Sequence, residues 1–435
     1  MKVLIISHNP FSTYQSMGKT FLSLFSKFDK EELCQLYIYP TIPDVDVCNS
    51  YYRITDKDIL KSYLHFGRVS SREIKSNEID ITVHEKFENK KDEKLYNREK
   101  NYFTMVGRDL MWKFSKYYNN SLKKWISKEK PTCIFLAPGE AKFIYDLAMK
   151  ISHEYKIPII TYICDEFYFI KRPKKLLGKI QLQLLQNKIS KLMKNTEKII
   201  TICDELNKQY SEKFNVPAIT IMTGTNFQIA EEPKKLDRID SITYLGNLAY
   251  KRSESILEIG KALDNLRKSQ GIKCKLKLYT ASLDEKMKEA IKNSESIEYC
   301  GYVTGDAFIK AFLEAQVLLH IESFDENCID RVKNSISTKI ADSLASGIPL
   351  LVYGPKQIAS VQYLNKNKAA CVITDKENLE KDLFIYLTTS IERIQCALNG
   401  VNLAKKNHDS NTNSQKVYEL LSIITLKYKI ENECK

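Results

Sequence analysis

The stretch NSISTKIADSLASGIP, residues 334–349, lies between two short apolar runs at 317–321 and 349–352. Each run is rich in leucine, isoleucine and valine, which predicts a buried strand. The residues between them begin as a polar loop and continue with a helical pattern over 337–345. Strand, loop, helix and strand in this order are typical of a parallel sheet that is covered by helices.

The same alternation extends along the chain in both directions. The predicted strands are 2–7, 36–39, 133–137, 158–163, 198–202, 242–245, 274–279 and 297–300, and the predicted helices are 16–28, 104–128, 253–269, 283–293 and 306–312, with mostly helical sequence after 379. A charged segment with Pro233, 231–238, predicts a linker. We therefore predict an α/β protein of two doubly wound domains, 1–230 and 231–410, facing each other across a cleft, with a C-terminal helix in 411–435 that packs back on the first domain.

The composition fits two packed domains in a reducing environment. The 435 residues are 43% hydrophobic and 28% charged, which excludes intrinsic disorder and coiled coils. No apolar run approaches the ~18 residues of a membrane span, and the run 3–6 is too short for a secretory signal. The 11 cysteines are scattered without a CxxC pair, so we expect free thiols, a cytoplasmic location and no zinc site. Residues 49–100 are polar and charged and predict an insertion.

The helix predicted over 337–345 begins with residues that suit a phosphate. Backbone N–H groups at a helix start favour anions, and Ser337, Thr338 and Lys339 add hydroxyl donors and a positive charge. Asp342 lies one turn further on, where its carboxylate could accept hydrogen bonds from a ribose. The alternative interpretation is an ordinary capped helix with a pair between Lys339 and Asp342.

A second segment, LGNLAYKR at 245–252, has the same character. Gly246 follows a predicted strand and lets a ligand approach the backbone, with Asn247 next to it and the cations Lys251 and Arg252 before a helix. The alternative is a solvated turn with two exposed cations. A weaker signal is Gly18 in SMGKT, which follows the first strand but lacks the glycine spacing of a phosphate-binding loop.

Four segments together resemble the GT-B glycosyltransferases of family 4, in particular the type that makes bacterial cell-surface polysaccharides: KVLIISHNPFSTYQSMGKT, ITYLGNLAYKRSESILEIGKAL, IEYCGYV and STKIADSLASGIPLLVYGP. The resemblance implies the GT-B fold and transfer of a sugar from a nucleoside diphosphate, in particular UDP. It also implies that the transferred sugar keeps its anomeric configuration. It implies no metal and no cofactor besides the nucleotide-sugar co-substrate. By resemblance, Gly301, Tyr302 and Val303 would lie at the nucleobase, and Gly18 would approach the diphosphate.

The sequence departs from that family at two places. The family carries two glutamates at the helix start, and here the second position holds Asp342 while the first holds Asn334, which is not acidic. The family's arginine falls on Asn247 and its lysine on Arg252, so Lys251 or Lys339 is expected to compensate for the missing cation.

Asp165, Glu322 and Lys339 are the candidate catalytic residues. Asp165 follows the strand 158–163 beside Phe167, Tyr168 and Phe169, and an acid next to aromatic rings suits the hydroxyl and ring face of an acceptor sugar. Glu322 follows the strand 317–321 and is a candidate near the donor sugar. Lysines at the diphosphate would stabilise the charge of the leaving group. A loop aspartate that caps a turn and a solvated glutamate are the alternatives.

Two further features concern metals and membranes. Asp44, Val45 and Asp46 form a DxD tripeptide, but it lies far along the chain from the other candidate segments, and we interpret it as coincidental. The segment from Lys171 to Lys194 contains eight lysines or arginines and no acid, with apolar residues at helical spacing. Such a helix could lie on an anionic membrane surface, here the inner face of the cell membrane. The alternative is a helix that covers the sheet of the first domain and has a basic outer face.

The sequence thus predicts a glycosyltransferase that acts on a glycan or lipid-linked acceptor. Two alternatives remain open: a catalytically silent partner of a true transferase, suggested by Asn334, and a nucleotide-sugar 2-epimerase. Nucleic acid is not an expected partner, because the formal net charge of +13 comes without a known binding motif.

Overall fold

The computed structural model describes residues 1–13, 15–64, 69, 71–75, 78–79, 102–171, 173–225, 227–236, 238–281 and 283–433. Most of the predicted insertion at 49–100 lies outside these residues. The chain forms two compact units: Met1–Thr223 together with Ser410–Lys435, and Gly224–Asp409. Residues just before the predicted linker belong to the second unit, since the Thr225 N–H donates to the His408 carbonyl at 2.8 Å.

The first unit is built on an eight-stranded sheet. Its strands are β1 Val3–Ser7, β2 Leu33–Tyr37, β3 Ser50–Arg53, β4 Arg72–Ile74, β5 Cys133–Ala137, β6 Ile159–Ile163, β7 Thr196–Thr201 and β8 Ala218–Thr220, in the order β4-β3-β2-β1-β5-β6-β7-β8. Its helices are α1 Ser16–Leu24, α2 Asp56–Leu64, α3 Tyr102–Phe114, α4 Asn120–Glu129, α5 Lys142–Tyr155, α6 Leu176–Met193, α7 Asp204–Phe214 and, from the chain's end, α16 Ser410–Glu433, with a 3-10 turn at Lys30–Glu32. Neighbouring strands are parallel except β3 and β4.

The second unit contains a six-stranded, wholly parallel sheet. Its strands are β9 Ser241–Leu245, β10 Lys275–Tyr279, β11 Ile297–Gly301, β12 Val317–Ile321, β13 Leu350–Tyr353 and β14 Cys371–Ile373, in the order β11-β10-β9-β12-β13-β14. Its helices are α8 Arg252–Gln270, α9 Glu285–Asn293, α10 Gly305–Leu313, α11 Glu326–Val332, α12 Lys339–Ala345, α13 Ala359–Lys366, α14 Leu379–Thr388 and α15 Ser390–Asn407.

The predicted fold class is confirmed, and the strand pattern explains why the sequence reveals it. Central parallel strands are covered by helices on both faces, so their residues are apolar without alternation. In β1, for example, Val3 to Ser7 are all buried, with Val3 in register with Leu33 on one side and Cys133 on the other. The strands therefore stand out as continuous apolar runs.

One helix prediction is wrong. The single helix predicted over 104–128 is two helices, α3 and α4, because Asn119 begins a new helix between them. Its side chain accepts a hydrogen bond from the Leu122 N–H at 3.0 Å, as an N-cap does. The last helix, α16, packs against α1, and the N–H of Lys27, three residues after α1 ends, donates to the Ser414 hydroxyl at 2.9 Å.

Candidate functional site

The carboxyl edge of the second sheet collects most of the predicted donor-site residues. Ligands bind at this edge in open parallel sheets, because each strand ends there in a loop with free polar groups. The Gly246 N–H donates to the Tyr279 carbonyl at 3.0 Å, and the Thr280 N–H donates to the Gly301 carbonyl at 2.9 Å. Gly246 and Gly301 thus lie in one row at the ends of β9, β10 and β11.

Arg252 and Glu322 form a buried ion pair at this edge. Arg252 begins α8 and Glu322 follows β12, and the guanidinium donates from Nη2 to both carboxylate oxygens, at 3.1 and 2.9 Å, and from Nε at 3.1 Å. The carboxylate side chain is only 5% exposed and the arginine side chain 17%. Burial raises the pKa of the Glu322 carboxyl, while the Arg252 charge opposes that rise. Glu322 therefore holds Arg252 in a fixed orientation.

Lys339 is the second cation of the site. It is exposed, begins α12, and its ammonium donates to the Leu245 carbonyl at the end of β9 at 2.8 Å. A Cβ on Gly246 would lie 2.5 Å from the Lys339 Nζ, so the glycine leaves the space in which the ammonium sits. The α12 start and the loop after β9, predicted as two separate segments, are thus brought together here.

His320 lies in β12, beside these charges. Its Nε2 is 3.1 Å from the Ser360 hydroxyl and 3.6 Å from the Glu322 carboxylate. Burial, followed by the positive charges of Arg252 and Lys339, lowers the pKa of His320 to about 3. The imidazole is therefore neutral at physiological pH.

The loop from Asn247 to Arg252 has a special backbone. Tyr250 and Lys251 both have a φ of +56°, in the left-handed region that few side chains adopt. The Lys251 ammonium is exposed and lies 2.6 Å from Asp325, and this hydrogen bond lowers the pKa of Asp325 to about 2. Asn247 accepts a hydrogen bond from the Ala249 N–H at 3.2 Å.

The start of α12 differs from the ordinary capped helix that is the alternative interpretation of this segment. The helix is Lys339–Ala345, and Thr338 stands at the N-cap with helical backbone angles and no side-chain capping bond. Ser337 instead supplies a carbonyl to the Ile340 N–H at 3.0 Å. Asp342 accepts a hydrogen bond from the Thr225 hydroxyl at 2.8 Å, and Asn334 is buried. No side chain caps α12 at Thr338, because the chain is already helical at that residue.

The two remaining nucleobase candidates follow β11. Tyr302 is 66% exposed and Val303 is half-buried, just after Gly301, whose φ of +85° requires glycine. The ring of Tyr302 is therefore available at the same edge of the sheet as Gly246.

A separate pocket of about 180 Å³ lies at the carboxyl edge of the first sheet, after β1, β5 and β6. It contains Asp165, which is exposed, together with His8, Glu140, Phe167 and Arg108. The Arg108 Nε donates to both oxygens of Asp56 at 2.9 Å, so its charge is already paired. The pocket places the predicted acceptor residue Asp165 beside a second carboxylate and an aromatic ring.

Gly18 and the DxD tripeptide serve the structure of the first unit. A Cβ on Gly18 would lie 2.6 Å from the Ser12 Cβ and closer still to the Ser12 backbone, so the glycine is required where α1 passes the loop after β1. Asp44 is buried and accepts hydrogen bonds from the N–H and hydroxyl of Thr13 at 3.1 and 2.8 Å. Asp46 forms an ion pair with Lys30.

Comparison with known proteins finds similarity at the level of the fold. No protein-family model matches the sequence, and curated proteins give no match. Trehalose-6-phosphate synthase from Burkholderia multivorans is 11% identical, with 99% of this chain and 98% of that chain covered and a TM-score of 0.60. Sucrose-phosphate synthase from Thermosynechococcus elongatus is 10% identical, with 98% and 99% covered and a TM-score of 0.59. HepE from Anabaena, solved with UDP, is 11% identical, with 97% and 100% covered and a TM-score of 0.59.

The chain has the GT-B fold. Among the helices of this GT-B chain that the structure describes, none combines the length and hydropathy that crossing a bilayer requires. Within the same ranges, no group of three or more His, Cys, Asp or Glu side chains is arranged to hold a metal ion.

Sequence reasoning missed three residues of the two candidate sites. His320 is hidden inside an apolar strand, and a histidine in such a strand is by itself a weak signal. Asp325, the partner of Lys251, lies 74 residues away from it along the chain. Glu140 follows β5 directly, so the strand-end argument that selected Asp165 could have selected it too.

Proposed function

We propose that this GT-B protein is a glycosyltransferase that moves a sugar from a nucleoside-diphosphate sugar, most of all a UDP-sugar, to a glycan or lipid-linked acceptor in cell-surface polysaccharide synthesis. The observation that carries the proposal is the pair of cations Arg252 and Lys339 at the carboxyl edge of β9 and β12. The UDP bound by HepE, a protein of the same fold, supports a uridine nucleotide as the donor.

The two cations suit the chemistry of donor cleavage. When the bond from the sugar to the diphosphate breaks, negative charge grows on the phosphate, and fixed positive groups stabilise it. Arg252 is held by Glu322, and Lys339 is exposed and its ammonium donates to the Leu245 carbonyl, so we assign Lys339 to the phosphate. We assign Asp342 to the ribose, and Gly301, Tyr302 and Val303 to the base. Retention of configuration and metal-independent action are part of the proposal and follow from the family 4 resemblance.

The lining of the first-unit pocket favours an acceptor whose reacting sugar carries no charge. Asp165 and Glu140 contribute two carboxylates, while the charge of Arg108 is paired with Asp56. A phosphorylated sugar would meet these carboxylates without a free cation among the described lining residues, which costs electrostatic energy. A hydroxyl-rich sugar fits better, since Asp165 can accept a hydrogen bond from the attacking hydroxyl and Phe167 offers an apolar ring face.

Binding of UDP is expected to raise the melting temperature of the protein by several degrees. At a concentration 100 times the dissociation constant, a ligand adds about 2.7 kcal/mol to the free energy of unfolding. Lys339→Ala and Asp342→Ala should each abolish the shift, while Lys366→Ala, an exposed lysine on α13, should keep it. The measurement is thermal unfolding with UDP, GDP, ADP and CMP in parallel.

The outcomes separate the proposal from its rival. A shift with one nucleoside diphosphate, lost in both site variants, supports the donor site. No shift with any nucleotide contradicts the transferase proposal and favours a silent partner subunit, for which the buried, non-acidic Asn334 is the structural indication.

Asp165→Asn is expected to slow sugar transfer while leaving UDP binding intact. An aspartate that accepts the proton of the attacking hydroxyl contributes about 10²–10⁴-fold to the rate. The measurement is UDP release from UDP-glucose with methyl glucoside or glucose 6-phosphate as the acceptor. We expect the neutral sugar to stimulate release more than the phosphorylated one.

The matched control is Asp204→Asn, which removes an exposed aspartate at the start of α7. It should leave the rate unchanged. A preference for glucose 6-phosphate, or an equal rate in wild type and Asp165→Asn, would contradict the acceptor assignment without affecting the donor site.

A further inference from the structure

Three neighbouring helices of the first unit, α2, α3 and α6, leave large apolar side chains exposed. The helices contact one another: Arg108 of α3 pairs with Asp56 of α2, and a Cβ on Gly178 of α6 would lie 2.6 Å from the Tyr102 ring of α3. Exposed apolar residues on these helices include Leu64 at 77%, Phe103 at 80%, Phe114 at 70%, Leu176 at 74%, Ile180 at 47% and Leu184 at 45%. We call these six residues the docking face.

The spacing of these residues places them on the outer sides of their helices. Leu176, Ile180 and Leu184 are four residues apart, so they form one stripe along α6. The opposite side of the same helix, with Leu185 and Ile189, is buried. The helix therefore has two apolar sides, and only one of them is needed for packing within the unit. Exposed apolar surface of this extent marks an interaction site.

Among the described residues of α2, α3 and α6, every exposed charged side chain is a lysine. Lys61, Lys113, Lys174, Lys175 and Lys179 are exposed on or directly beside the three helices. The acids of α2 and α3 each have a partner within the unit: Asp56 with Arg108, Asp58 with Thr55, and Asp109 with Lys142. The sequence of α6 contains no acid. Exposed apolar residues edged by lysines match an anionic lipid surface, in which the chains take the apolar groups and the headgroups take the cations.

Helix α3 contributes both to the docking face and to the pocket that holds Asp165. Arg108 lines that pocket, and it lies on α3 between Phe103 and Phe114. An acceptor held in a bilayer under α3 would therefore lie against a helix that also lines the pocket of Asp165.

We propose that the docking face lies on the surface of an anionic bilayer and brings the first-unit pocket to a membrane-held acceptor. The docking does not depend on the transfer reaction; only the delivery of an acceptor rests on the proposed function. Membrane binding and UDP binding are measured separately, so either can fail alone.

The test is sedimentation of the full chain with vesicles of phosphatidylcholine, with or without phosphatidylglycerol. We expect strong binding to the anionic vesicles, weak binding to the neutral ones, and loss of binding as salt is raised. Ile180→Glu with Leu184→Glu should weaken binding at least about tenfold, because two apolar groups no longer enter the lipid. Lys174→Glu with Lys175→Glu should weaken it at least about 30-fold, because each cation near an anionic surface contributes to binding.

Matched controls come from the second unit. Ile309→Glu with Leu313→Glu changes an equally exposed pair on α10, at 42% and 49%, and Lys405→Glu with Lys406→Glu changes an adjacent exposed pair on α15. Both should bind as wild type does. All four variants should keep the wild-type melting temperature and the UDP shift, because the changed side chains are exposed.

Three results would overturn the inference: no binding of the wild type to anionic vesicles, equal binding to neutral and anionic vesicles, or wild-type binding by both docking-face variants. A dimer in solution that dissociates on Ile180→Glu with Leu184→Glu would also overturn it, since the face would then be covered by a second copy.

Discussion

Arg252→Ala is expected to lower the free energy of unfolding by about 3–5 kcal/mol, because removal of one partner from a buried ion pair leaves the other charge uncompensated. Glu322 is 4% exposed, and Arg252 donates three hydrogen bonds to its carboxylate. Without the guanidinium, the carboxyl would take up a proton more readily. Its folded-state pKa is already raised by burial, so the folded variant binds more protons than the unfolded one. The loss of stability should therefore be smaller at low pH and grow as the pH rises through the folded pKa.

The measurement is urea unfolding of the wild type, Arg252→Ala, and the double variant Arg252→Leu with Glu322→Leu. The double variant should be more stable than Arg252→Ala, because no unpaired charge stays buried. Lys251→Ala breaks the neighbouring exposed pair with Asp325 and should change the stability little. An Arg252→Ala protein as stable as Lys251→Ala would show that the buried pair does not support the second unit.

His320 is expected to make the second unit sensitive to acid. Its pKa is lowered from 6.5 to about 3. At a pH between these two values, the histidine is protonated in the unfolded chain and neutral in the folded chain. When the pH drops below the pKa of histidine in the unfolded chain, this group alone should lower the free energy of unfolding by about 1.4 kcal/mol per pH unit. The loss of stability is complete once the pH is below the pKa of His320 in the folded protein.

The contribution is isolated by His320→Gln, whose amide can keep the hydrogen bond to Ser360 and does not titrate. Urea unfolding between neutral pH and about pH 4.5 should show a shallower decline for the variant, with the two curves diverging as the pH falls below the unfolded pKa of histidine. The control is His153→Gln, which changes a histidine on α5 of the first unit and should leave the slope unchanged. Parallel curves for wild type and His320→Gln would contradict the prediction.

The sequence predicts where the residues of the two candidate sites lie, but not which of them pair. Gly246, Arg252, Glu322 and Asp165 all follow or begin an element that the pattern identifies, so their place at a carboxyl edge could be inferred. Their partners could not. Arg252 and Glu322 are 70 residues apart, and Lys339 and Leu245 are 94 apart. No local pattern encodes a pairing between loops that come together only when β9 and β12 become neighbours.

The docking face shows the same division within a single helix. The sequence of 171–194 indicates a basic amphipathic helix, but it contains more apolar residues than one side of a helix needs. Only the packed unit shows that Leu185 and Ile189 are covered while Ile180 and Leu184 are not.

The sequence by itself determined the alternation of strands and helices, the two doubly wound sheets and the loops that bear polar residues. It could do so because strands buried on both faces require continuous apolar runs, and helices require their own period. The tertiary structure alone decided which charges pair, that Glu322 is buried against Arg252, that His320 is held neutral, and which apolar side chains stay exposed. These properties depend on burial and on distances between residues remote in sequence, which strand order and packing set.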